Sequence, residues 1–170
     1  MAAAAPGEPG SFADLGSGGG VPALVLLELW PDASAVLVEA GQRRAAFLRE
    51  SLERLGWVQR SEVLEARVEE VDRDVIRRHR FELVTARSFG SPAVTAECAA
   101  PLLAVGGALL VSEPPAAAQR WPEAPLTQLG LSPGGSIERG GYHFQLLAQV
   151  RLCPDRCPRR TGVPSKRPLF

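Results

Sequence analysis

An α/β fold on a mostly parallel sheet is predicted for this 170-residue chain, and three observations predict it. From Phe12 onward, short apolar runs alternate with helically spaced apolar positions, the signature of repeated strand-helix units. A glycine-rich turn, Gly16-Ser17-Gly18-Gly19-Gly20, separates the first such run from the first helical pattern. The next run, residues 35–38, is continuously apolar, as strands covered on both faces are, and it ends on the acid Glu39.

Residues 12–15 read as the first strand and 21–29 as a compact helix that stops before Pro31. Residues 42–55 place Ala45, Leu48, Leu52 and Leu55 at near-helical spacing, with arginines and glutamates on the other side, and Gly56 ends that helix. A weaker strand is predicted at 63–66, a charged stretch with a turn or more of helix at 67–80, and a fourth strand at 81–86. A helix over 93–103, entered through Pro92 and distorted at Pro101, leads to a fifth strand at 107–112. Then come a proline-rich excursion at 113–125, a short helix at 126–129, a turn at 132–135, and a strand pair at 136–139 and 142–150.

Length bounds the chain to one ordinary domain over residues 11–150. Residues 1–10 are Met1 followed by Ala, Gly and Pro with one Glu and read as a disordered leader, while residues 151–170 read as a basic, proline-rich tail. No run approaches the roughly 18 apolar residues of a membrane span, so no membrane partner is expected. Formal charge balances to zero, which argues against nucleic-acid affinity spread over the whole surface and directs attention to local patches. Cys98, Cys153 and Cys157 form neither an even disulfide framework nor a zinc-ligand array, so a reducing, cytoplasmic setting and no metal are expected.

The element order around Asp14-Leu15-Gly16-Ser17-Gly18-Gly19-Gly20 is that of a Rossmann-like nucleoside site. Glycines let the backbone turn sharply and approach a ligand, and Glu39, nineteen positions after Gly20, can accept from both ribose hydroxyls. Asp14 would repel a pyrophosphate but suits a cofactor with a cationic amino-acid end, so the D-x-G-x-G-x-G pattern favours S-adenosyl-L-methionine over NAD. His79 and His143 have no partner carboxylate assignable from spacing, and Gly16-Ser17-Gly18 and Gly90-Ser91-Pro92 lack the G-x-S-x-G pattern of a nucleophile elbow.

Four separated segments resemble the bacterial small-subunit ribosomal RNA guanine-N7 methyltransferases, also called glucose-inhibited division protein B. They are the loop from Asp14 to Val21-Pro22; Arg67-Val68-Glu69-Glu70; Thr85-Ala86-Arg87-Ser88-Phe89; and the tail Pro158-Arg159-Arg160-Thr161-Gly162-Val163-Pro164-Ser165-Lys166-Arg167-Pro168-Leu169. The resemblance implies a class I methyltransferase fold, a mostly parallel seven-stranded sheet with an antiparallel closing pair. It implies that Asp14, Gly16, Gly18, Gly20 and Val21 form the cofactor loop, that Glu39 holds the ribose, that Val68 and Glu69 frame the adenine, and that Arg87 sits at the reaction face. The acceptor it implies is guanine N7 of small-subunit ribosomal RNA, bare or in an assembling subunit, methylated by a monomer that does not act on DNA.

The tail carries six arginines or lysines against the single Asp155, and Arg159, Arg160, Lys166 and Arg167 are its candidate RNA contacts. Family members carry a helical region before the first strand, where this chain has only the Ala/Gly/Pro leader. A truncated start and a shortened relative both fit that departure. The rival readings are a degenerate cofactor-binding protein and a small-molecule methyltransferase.

Overall fold

The computed structural model describes residues 1–115 and 120–170, so part of the 113–125 excursion, residues 116–119, lies outside the described residues. Seven strands form one sheet: β1 (Ser11–Leu15), β2 (Ser34–Val38), β3 (Ser61–Leu64), β4 (Phe81–Ala86), β5 (Leu103–Glu113), β6 (Leu131–Arg139) and β7 (Tyr142–Gln149). Their order is β3-β2-β1-β4-β5-β7-β6. The pairings through β5 are parallel, and β7 runs antiparallel to both β5 and β6. The sheet is thus the class I methyltransferase arrangement expected from the sequence.

Helices cover both faces: α1 (Ala23–Leu29), α2 (Gln42–Leu55), α3 (Val68–Val71), α4 (Pro92–Ala99), α5 (Glu123–Gln128) and α6 (Val163–Lys166). Alternation along the strands divides the core in two. Phe12, Ala35 and Leu37 pack with Leu26, Leu27 and Leu48 of α1 and α2 on one face. Ala13, Leu15 and Val38 pack with Val68, Ala96 and Leu126 on the other. Each large apolar side chain so buried contributes about 1.5–3 kcal/mol. β1 lies where the winding reverses, paired to β2 on one side and β4 on the other, and the crevice beyond the carboxyl ends of such strands is where these sheets take ligands.

Several expectations are corrected. The leader is not disordered: Ala2–Ala4 forms a 3-10 turn, and Ala4 is buried in the α1/α2 core. Small side chains suffice because the surface they meet is already apolar. The third strand falls two residues early, at Ser61–Leu64, set by parallel pairing of Ala35 with Ser61. The helix expected to reach residue 103 ends at Ala99: Ala100 still has helical dihedrals (φ −55°, ψ −39°) and donates to the Ala96 carbonyl, but Pro101 has no N–H to continue the ladder. Leu103 already belongs to β5, which is irregular between the Phe81 and Leu83 pairings.

Residues 132–135, expected as a turn, lie within β6. Cross-strand hydrogen bonding to β7 overrides local turn chemistry there. Pro133 is tolerated because β6 is an edge strand, and the register shift between Pro133 and Gly135 absorbs the misfit. The last strand stops at Gln149. The carboxy-terminal segment is no free tail: Cys153 and Cys157 are buried with α4 and β5 residues. Arg78 clamps it by donating to the carbonyls of Cys157 (2.8 Å) and Pro154 (3.4 Å).

Candidate active site

A cleft of about 420 Å³ opens at the carboxyl ends of β1, β2 and β4. The glycine turn forms its floor because three residues there adopt the left-handed conformation, Gly16 (φ 67°), Gly18 (φ 56°) and Gly20 (φ 85°). Two of these positions are also tight. A Cβ on Gly16 would lie 3.0 Å from the ring of Phe89, and one on Gly20 would lie 2.5 Å from Leu24 Cδ1. Backbone bonds from Ser17 to the Val38 carbonyl (3.0 Å) and from Gly20 to Ser17 (2.8 Å) fix the turn against β2.

Glu39, one residue past β2, organises the opposite wall. Its carboxylate accepts from the Gly18 amide (2.9 Å), the Gly41 amide (2.7 Å) and Arg44 Nη2 (2.7 Å). Burial alone would push this carboxyl up, but the hydrogen bonds from Arg44, Gly41 and Gly18 outweigh it and hold it below the ordinary carboxylate range. A carboxylate offers about four acceptor positions, and three are taken. Two ribose hydroxyls need one more, and the solvent-exposed Arg44 side chain is the partner free to yield. The spacing of Glu39 from the turn was legible in the sequence; Arg44, one helical turn into α2, carried no comparable signal.

Asp14 stands apart from the other expected cofactor residues. It does not line the cleft but lies beneath the turn, 1 % exposed, with Oδ1 accepting from Thr85 Oγ1 (2.6 Å) and Oδ2 buried without a partner. Burial pushes its carboxyl up to about 6, against the opposing pull of Thr85, Ser17 and the Arg87 charge. Between about pH 4 and pH 6 the unfolded chain ionises here while the folded chain keeps its proton, so folding stability from this group falls as pH rises through that window. Urea unfolding of the wild type and of Asp14→Asn at pH 4, 5, 6 and 7 measures it: the variant loses that part of the slope. An identical slope in both would refute the assignment.

Of the remaining expected residues, Gly16, Gly18, Val21, Glu39, Val68, Glu69 and Arg87 all line the cleft, whereas Gly20 shapes the turn from outside it. Glu69 is buried and accepts from the Gly162 amide (3.0 Å), tying the carboxy-terminal segment to the cleft, and Ser165 of α6 reaches the lining. Arg87 is exposed just past β4, and Ser88 behind it has φ 53°, unusual for a non-glycine residue and typical of functional sites. Arg159, expected as a phosphate contact, is committed elsewhere: its guanidinium and amide hold the fully buried Glu97 (2.6–2.9 Å). Arg160, Lys166 and Arg167 are exposed. No group of three or more His, Cys, Asp or Glu among the described residues is placed to hold a metal ion.

The glycine turn, the ordered Glu39 and the exposed cation beside them suit a nucleoside bearing an amino-acid end. The family model described as rRNA small subunit methyltransferase G matches residues 3–123. The ribosomal RNA small subunit methyltransferase G of Rubrobacter xylanophilus is 37% identical over 94% of this chain, and that of Chloroflexus aggregans is 36% identical over 95%. The chain spans 65% and 70% of the lengths of those two relatives. Among solved structures, an RNA methyltransferase from Salinibacter ruber in complex with S-adenosyl-L-homocysteine superposes with a TM-score of 0.62 at 17% identity, over 85% of this chain and 83% of that one. A putative methylase from Haemophilus influenzae gives 0.65 at 13% identity, over 85% and 89%.

Proposed function

We propose that this chain, which belongs to the rRNA small subunit methyltransferase G family, transfers a methyl group from S-adenosyl-L-methionine to guanine N7 of small-subunit ribosomal RNA, as a cytoplasmic monomer. The observation that carries this reading is the presence of the glycine turn, Glu39 and Arg87 around one cleft at the switch point of the sheet. When bound, the cofactor supplies an electrophilic methyl on a sulfonium.

Guanine N7 presents an in-plane lone pair and bears no proton, so the chain must align the acceptor and has no need of a general base. The cleft fits that requirement. No histidine among the described residues lines it, and Glu39 and Glu69 are held by hydrogen bonds within the chain. In this reading Glu39 accepts from the ribose, Val68 and Glu69 flank the adenine, and Gly16 to Val21 give the backbone a close approach. Arg87 steadies the acceptor at the reaction face as a fixed cation. Arg160, Lys166 and Arg167 take phosphates, positioning RNA without reading its sequence, so binding weakens steeply with salt.

The test is incubation of the purified protein with methyl-labelled S-adenosyl-L-methionine and small-subunit RNA, bare and ribosome-assembled, followed by nuclease digestion and mass spectrometry. N7-methylguanosine is the expected product. Tight cofactor binding with no label in either RNA would overturn the reading and leave a cofactor-binding protein without this activity.

A further inference from the structure

Beside the cofactor cleft lies a second recess of about 390 Å³, within the roughly 300–1,000 Å³ of small-ligand sites. The two share a partition of two residues, Ser88 and Phe89. Ser88 is the residue held at φ 53°, and the Phe89 ring packs against Gly16 of the glycine turn. Thr95, Val111, Glu113 and Arg120 line the remainder.

One of these groups, Glu113, offers unused hydrogen-bonding capacity to the recess. Thr95 lies beneath the recess, 1 % exposed, with its Oγ1 sealed from solvent and without a partner. The Glu113 side chain, at the end of β5, is 8 % exposed. Arg120 Nη1 holds its Oε2 at 2.7 Å, and Oε1 has no hydrogen-bond partner among the described residues. A carboxylate only accepts, and an aromatic ring offers a face. The recess is therefore chemically sided.

We propose that this recess is the subsite for the target guanine, with Glu113 as its specificity-determining residue. The proposal rests on the guanine-N7 reading above. Guanine carries its N1–H and N2–H donors side by side on its Watson–Crick edge, and its O6 acceptor lies between N1–H and N7. Glu113 accepts from the donor edge, and Phe89 packs on the ring. N7 then points across the Ser88–Phe89 partition toward the cofactor cleft. Adenine would set its N1 lone pair against the carboxylate and is rejected. Taking the base out of its stack into a pocket that reads its Watson–Crick edge is how enzymes reach atoms on a base.

The experiment compares methyl transfer to small-subunit RNA carrying guanosine or inosine at the methylated position, once that position is mapped with the wild type. Inosine lacks only the 2-amino donor. The wild type is expected to prefer guanosine by roughly tenfold. Glu113→Ala is expected to lower kcat/KM on guanosine roughly tenfold to a hundredfold and to bring the guanosine-to-inosine ratio to about one. Its affinity for S-adenosyl-L-methionine, titrated separately, stays at the wild-type value because Glu113 does not line the cofactor cleft.

If Glu113→Ala is unfolded by circular dichroism, Glu113→Leu, which keeps the bulk and removes both acceptors, decides by the same ratio, which must fall. A ratio unchanged from wild type in the folded Glu113 variant overturns the subsite while the methyltransferase reading stands. Absence of transfer by the wild type overturns both.

Discussion

Replacing Arg159 with alanine is expected to destabilise the folded chain by about 3–5 kcal/mol, because it strands a buried carboxylate. Glu97 is 0 % exposed on α4 and receives three bonds from Arg159: the amide (2.9 Å), Nε (2.8 Å) and Nη2 (2.6 Å). The variant keeps the amide bond and loses the charge that compensates Glu97. With a urea slope of about 1–3 kcal/mol/M for a small protein, the unfolding midpoint should drop by more than about 1 M. Arg159→Lys should recover only part of the loss, since an ammonium cannot make the paired guanidinium contacts. The double variant Arg159→Met with Glu97→Met should lie closer to wild type than Arg159→Ala, because no unpaired charge remains.

The same variant carries a functional consequence through the segment that Arg159 anchors. Gly162 and Ser165 follow within six residues, one bonded to Glu69 and the other lining the cofactor cleft. Loosening the anchor should therefore weaken cofactor binding even where the chain stays folded. Calorimetric titration below the unfolding transition checks this, and unchanged affinity would mean that the segment is dispensable for the cleft.

Glu39→Ala is expected to lower the affinity for S-adenosyl-L-methionine by a hundredfold or more, with a much smaller effect on folding. Charge-assisted hydrogen bonds are worth about 1.5–3 kcal/mol each, and the ribose would make two. The Gly18 and Gly41 amides would also lose their acceptor, so the turn that Glu39 pins to β2 loses its order. Arg44→Ala separates the two contributions. It removes the exposed partner of Glu39 and frees an acceptor position, so cofactor affinity should hold or rise. A Glu39→Ala variant that binds the cofactor as the wild type does would remove Glu39 from the site.

Much of this architecture was legible in the chain because it is written in local chemistry. Apolar runs such as residues 35–38, short and placed between helical patterns, fit a doubly covered strand, and Gly16, Gly18 and Gly20 mark a backbone that enters left-handed geometry. Glu39 follows from its place at the end of such a strand. These features depend on a few neighbouring residues and on element order, so they survive without three-dimensional information.

What tertiary structure alone decided is where charged and ambiguous residues go. Arg159 and Arg160 are adjacent and chemically identical, yet one is bonded to Glu97 while the other faces solvent. Asp14 looked like a cleft residue and is instead sealed under the turn against Thr85. Residues 132–135 have turn chemistry but become strand because β7 offers them hydrogen-bond partners. Ser88 and Phe89 meet Thr95 and Glu113 only after β4, α4 and β5 pack side by side. Periodicity and spacing report the local chain; burial and pairing of a polar group depend on residues tens of positions away, and those are brought together by the fold.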